Sequence, residues 1–171
     1  MENRICFNNR SREILKMSET HSEDNIQKTI LDMDYVVPRP VAINPSYYKL
    51  KDETIIKAFI NINHLIPDPN SSDGYAVNST NIIMAYVPKN NRHPELAKPY
   101  NLSELKGAII DEDIEPVTLK EDFSTYELSN GLTMSIKAVA GQISKTIHYN
   151  PDGEPVYIVN IAPIVKMKKS K

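Results

Sequence analysis

The chain has 171 residues, 40% of them hydrophobic, a formal charge of −2 and one cysteine, Cys6. That length fits one domain or two very small ones. A single cysteine excludes an intrachain disulfide and a Cys₂ or Cys₄ zinc site. The lack of a basic excess argues against a protein that holds nucleic acid mainly through phosphates. No apolar run approaches the roughly 18 residues of a membrane helix. Nothing near Met1 resembles a signal peptide, so the expected setting is soluble and cytoplasmic, away from membranes.

With no Trp and three Phe against nine Tyr, the core must rest on Ile, Val, Leu and Tyr. Such residues suit a pleated sheet. Twelve Pro against five Gly give many stiff stops and few hinges, as in a chain of strands and turns.

Residues 1–35 are polar and lack strand alternation, and are expected to form a flexible tail with one short helix. Ile26, Ile30 and Met33 sit at i, i+4 and i+7, with Ser22 and Asp24 as caps, which permits an amphipathic helix over 24–33. Met17 offers an alternative start of translation that would remove residues 1–16.

The first β module and its connector are assigned to 36–100. Val36–Val41 is broken by Pro38 and Pro40 and reads as a linker or an edge strand. Tyr47–Leu50 is a short strand. In Thr54–His64, Ile56, Ala58, Ile60 and Ile62 alternate with polar residues at period two. A turn over 67–74 leads to the long strand Tyr75–Val87. Pro88–Tyr100 is a polar connector.

The second module is assigned to 101–171 and is expected to share one core with the first. Asn101-x-x-Glu104 has the form of a capping box, predicting one helical turn that ends at Gly107. Ala108–Ile110 and Val117–Leu119 are short strands around the acidic run 111–115. Asn130-Gly131 signals a hairpin. In Leu132–His148 the apolar phase changes parity near Gly141, predicting a β-bulge. Pro163 inside Val156–Met167 requires a free edge there.

The two modules share an order of residues. Tyr48-x-Leu50 matches Tyr126-x-Leu128, Lys57-Ala58 matches Lys137-Ala138, and Tyr75-x-Val77-Asn78 matches Tyr157-x-Val159-Asn160. The motif His-x-x-Pro-Asp occurs at 64–68 and again at 148–152. We read this as an internal repeat. The expected fold is mainly β, with two related three-stranded antiparallel modules packed as a small barrel or sandwich. Three strands with one apolar face cannot shield that face alone; two modules cover each other.

Chemistry is less legible. His64, Asp68, His148 and Asp152 are candidate metal ligands if the two turns meet, because imidazole and carboxylate suit first-row metals. The simpler account is that Pro-Asp starts a turn in each copy. No nucleophile motif or phosphate loop is present, and no cofactor is implied. Tyr75, Tyr86, Tyr149 and Tyr157 are candidates for a protein-binding patch, since Tyr is favoured in such contacts. Tyr75–Val87 has few charged interruptions and invites pairing with another chain. The expectation is therefore a non-catalytic interaction or assembly module whose partner is another protein or a second copy of itself. The alternatives are a metal-dependent enzyme using the two His-containing turns, or a single-stranded nucleic-acid binder.

Overall fold

Alternation of apolar residues in the long strands produces two open antiparallel sheets. The computed structural model describes residues 23–169; the alternative start at Met17 lies outside the described residues. Helix α1 (Glu23–Leu31) opens with Glu23 and Asp24 and carries Lys28 in its last turn, matching the helix dipole at both ends. Its Ile26 and Leu31 are exposed, so it lies on the surface.

The strands are β1 (Pro38–Ala42), β2 (Ser46–Lys49), β3 (Ile55–Pro67), β4 (Tyr75–Tyr86), β5 (Ile109–Asp111), β6 (Val117–Lys120), β7 (Ser124–Leu128), β8 (Leu132–Tyr149) and β9 (Pro155–Lys169). Sheet A has the order β4-β3-β2-β6. Sheet B has the order β1-β7-β8, with β9 also on β8 and β5 pairing near its C-terminal end. Between β4 and β5 the connector forms 3₁₀ turns at Lys89–Asn91, Pro94–Leu96 and Leu102–Ala108. The last begins where Glu104 accepts from the Asn101 side chain at 3.0 Å, as the sequence predicts.

The sheets do not close into a barrel. Among the described residues β4 pairs only with β3, and β9 only with β8. The physical reason lies in β4 and β9. Ser79, Asn81, Ile83 and Ala85 sit opposite the buried Ile62, Ile60, Ala58 and Ile56, so they line the inward face of β4. Three of the four are polar or small, so that face offers little apolar surface for closure. Pro163 in β9 removes a ladder donor.

On the other side the sheets are joined by exchanged strands. Val36 and Leu65 of β3 bond to each other in both directions at 2.9 Å. The chain then crosses, and β1 pairs with β7 of sheet B. Likewise Ile114 donates to Ile143 of β8 at 2.8 Å, and β6 then pairs with β2 of sheet A. Both crossing strands carry a register shift, between Pro40 and Ala42 and between Thr118 and Lys120. Strands that switch sheets turn the corner through such irregularities.

The ladders of the two sheets coincide at a constant offset. Ser46 pairs with Ala58, and Ser124 with Ile136 (124 − 46 = 78; 136 − 58 = 78). β3 shifts register after Ile62 and β8 after Ala140, again 78 apart. These bulges flip the parity of the strand, and so Leu65 and Ile143 point into the core with no exposed surface. Beyond the bulges Val77 pairs with Leu65, and Val159 with Ile143, so β4 and β9 match at an offset of 82 (159 − 77 = 82). The bulge at Gly141 was expected; the one at Asn63 was not. Ladder register aligns Ala58 with Ile136, not with Ala138 as the sequence comparison had it.

The core follows this arrangement. One cluster joins Val36, Ile60, Ile62 and Leu65 to Tyr126, Leu128, Met134 and Ile136. A smaller one joins Tyr48, Leu50 and Ile56 to Ile114 and Ile143. Burying each such side chain contributes about 1.5–3 kcal/mol.

Candidate functional site

Alternation along a strand decides what each sheet shows to solvent. In sheet A, Ile56, Ala58 and Ile60 point inward, so Lys57, Phe59 and Asn61 point outward. Their cross-strand neighbours on β4 are Met84, Ile82 and Thr80, and Tyr86 lies opposite Ile55. The outer face of sheet A thus presents Phe59, Ile82, Met84 and Tyr86 as one apolar strip. Met84 is 42% and Tyr86 51% exposed.

The same positions in sheet B read differently. Phe59 matches Lys137 at the offset of 78, and Met84 and Tyr86 match Lys166 and Lys168 at 82. There, Lys137 and Lys166 flank the Phe123 ring at 5.6 and 4.4 Å from its centre, close enough for cation–π attraction. Lys137 also bridges Glu121 at 3.0 Å. Ile82 matches Ile164, itself 42% exposed, so the contrast lies at Phe59, Met84 and Tyr86.

The free edges differ in the same way. β1 has two prolines, β5 three residues and β6 four. β9 carries Pro163, Lys166, Lys168 and Lys169. Short length, Pro and Lys are the usual protections of an edge. β4 has twelve residues and no Pro, Asp, Glu, Lys or Arg.

The metal candidates are not gathered. His64 lies on β3 and meets Tyr35 edge-on, with ring centres 4.8 Å apart. His148 lies on β8 in the other sheet and stacks on Tyr100 at 5.0 Å. Asp68 accepts from the Asn70 amide at 2.9 Å, within its own turn. In the second turn Asn150 does that work, accepting from Asp152 N at 3.0 Å. Among the described residues no three or more His, Cys, Asp or Glu side chains form a group able to hold a metal ion. Ladder register also separates the two motifs. His64 falls 78 residues before Gln142, and β8 runs on four residues past Lys145, the match of Pro67, to Tyr149.

Of the tyrosine candidates, three are engaged within the fold. Tyr75 accepts from Asn130 Nδ2 at 2.8 Å. Tyr157 donates to Asp52 Oδ2. Tyr149 is half-buried and meets His93 edge-on at 5.8 Å. Tyr86 alone is displayed on the sheet surface, with its hydroxyl 3.6 Å from Met84 Sδ.

Two ionic clusters are held within the structure. Burial pushes the Asp52 carboxyl up, but bonds from Tyr157 and Thr54 and the charge of Lys145 outweigh it and hold the group below its ordinary range. Glu121 is depressed in the same way: burial raises it, and Tyr48 and Lys137 more than compensate. Burial first, then Glu121, pushes Tyr48 up to about 12. The space beside Asp52, Lys145 and Tyr157 is about 100 Å³, well under the roughly 300 Å³ at which ligand pockets begin.

The chain matches no family model, no curated protein and no solved structure. Sequence reasoning found Tyr86 and the uncharged strand but missed Phe59, Ile82 and Met84. For Phe59 and Met84 the signal was available in Lys137 and Lys166 at the matching positions of the second half; Ile82 matches Ile164. Among the described residues no helix is long and apolar enough to cross a membrane.

Proposed function

We propose that this chain is an interaction or assembly module, made of two copies of one antiparallel unit, that docks protein on the outer face and free edge of sheet A. Each unit is a short strand followed by two long ones. The constant offsets of the ladders, both bulges and both exchanged strands support common descent of the two halves. A thin three-stranded unit gains a dry core by covering a second copy of itself.

The observation that carries the function is the contrast between matched positions. Lys166 and Lys168 stand in solvent where sheet A has Met84 and Tyr86, and Lys137, paired with Glu121, stands where it has Phe59. A fold that tolerates lysine there in one half has no structural need for apolar residues in the other. Exposed apolar strips rimmed by polar residues mark protein contacts, and an unprotected edge offers backbone donors and acceptors to another strand.

The test is binding by the full chain and by a Met84→Lys, Tyr86→Lys variant, which carries the residues β9 already bears. Partner capture by the wild type and its loss in the folded variant is the expected result. Equal capture by both would discard the surface.

A further inference from the structure

We infer that the partner strand at this surface is β4 of a second copy of the same chain, paired antiparallel across a two-fold axis. This rests on the interaction reading above and names its occupant.

β4 contains no Asp, Glu, Lys or Arg. A foreign strand bearing either sign finds no counter-charge on it, whereas a second β4 sets neutral residues against neutral ones. Like charges directly opposite destabilise a strand pair. The same pairing through β9, about Val165, would set Lys166 diagonal to its own copy, a contact that β4 does not make.

Geometry agrees. Among the described residues β4 is an edge with a single ladder, to β3. Antiparallel pairing of identical strands is isologous, so it closes after two copies and leaves no β4 edge for a third. Residues that meet across such a pair share a face. With the axis at Ile83, Thr80 lies opposite Tyr86 and Ile82 opposite Met84 of the other copy. Two four-stranded sheets become one sheet of eight, and the two apolar strips merge.

The test is sedimentation of the full-length chain over a wide concentration range, with the Met84→Lys, Tyr86→Lys variant alongside. The expected result is a reversible dimer that the variant weakens about tenfold or more. A synthetic peptide of residues 75–86 gives an independent reading on the wild type and is expected to dissociate the dimer. A wild-type monomer at every concentration overturns the self-pairing and leaves the interaction reading to its own capture experiment. A dimer that survives both the variant and the peptide overturns the self-pairing too, because its interface then lies elsewhere.

Discussion

Tyr48 and Tyr126 each reach into the long strand of the opposite sheet. The Tyr126 hydroxyl lies 3.1 Å from the Ile60 carbonyl of β3, and the Tyr48 hydroxyl 3.0 Å from the Ala138 carbonyl of β8. The two acceptors are 78 residues apart, as are the two tyrosines (138 − 60 = 78; 126 − 48 = 78). Both rings are almost fully buried. This reciprocal stitch fixes how the sheets face each other, and so where β4 is left open.

The two stitches are not equal. Tyr126 serves backbone alone, at Ile60 and Ile62. Tyr48 also meets Glu121 at 2.6 Å and accepts from Ala140 N at 2.9 Å. Removing the Tyr126 hydroxyl in Tyr126→Phe should cost ~1 kcal/mol. Tyr48→Phe also deprives a carboxylate, and should cost ~2–3 kcal/mol. Urea unfolding of both variants checks the order; a larger loss in Tyr126→Phe would contradict it.

Asp52 has a neutral counterpart in Asn130, and Tyr157 in Tyr75, at the same offsets. Asp52→Asn therefore substitutes the group the other half already uses. The folded carboxyl sits below its ordinary value of 3.8, so its stabilising effect is present above that pH and lost as pH falls through the depressed value. The variant should be ~1 kcal/mol less stable near neutrality, a modest figure because the group is partly solvated. The deficit should shrink towards zero in acid. Unfolding midpoints near neutral pH and near pH ~2.5 decide it; an unchanged deficit would refute the linkage.

Gly153 closes the β8–β9 turn at φ +75°, and a Cβ there would meet Pro94 N at 2.3 Å and the His93 carbonyl carbon at 2.6 Å. The connector is pinned at the same place, where His93 N donates to Gly153 O at 2.6 Å and Arg92 bridges Glu154 at 3.1 Å. Gly74 has φ +76° and open space around it. Gly74→Ala should cost ~1 kcal/mol from backbone strain alone. Gly153→Ala adds a backbone clash and should cost ~3 kcal/mol. Thermal melts compare the two; similar losses would show that the connector does not press on the turn.

The sequence made the long strands legible because side-chain period and turn residues are local signals. Ile56 to Ile62 and Met134 to Ala140 could be assigned to one face, and Gly141 marked a bulge. Asn63 hid the matching bulge in β3, since no glycine flags it. The exchange of β1 and β6 was not legible, because pairing of Pro40 with Tyr126 leaves no trace in the local pattern. The mismatch of Ala58 with Ala138 has a plain cause. A two-residue slip preserves which face every residue occupies, so alternation cannot detect it. The repeated His motif misled for another reason. Pro-Asp and Asn-Pro-Asp both build turns, and two hairpins of different length each converged on one. The edge was partly legible, as a strand with few charges. What made it informative was the Lys-bearing β9, which required the ladder register.

Amide hydrogen exchange along β4 tests the central claim most directly. Backbone N–H groups of β4 that face away from β3 have no ladder partner in one copy and should exchange quickly in dilute protein. At high concentration the account predicts that exchange across residues 80–86 slows, while β9 is unchanged. Exchange in β4 that ignores concentration, or protection that appears on β9 instead, would contradict it.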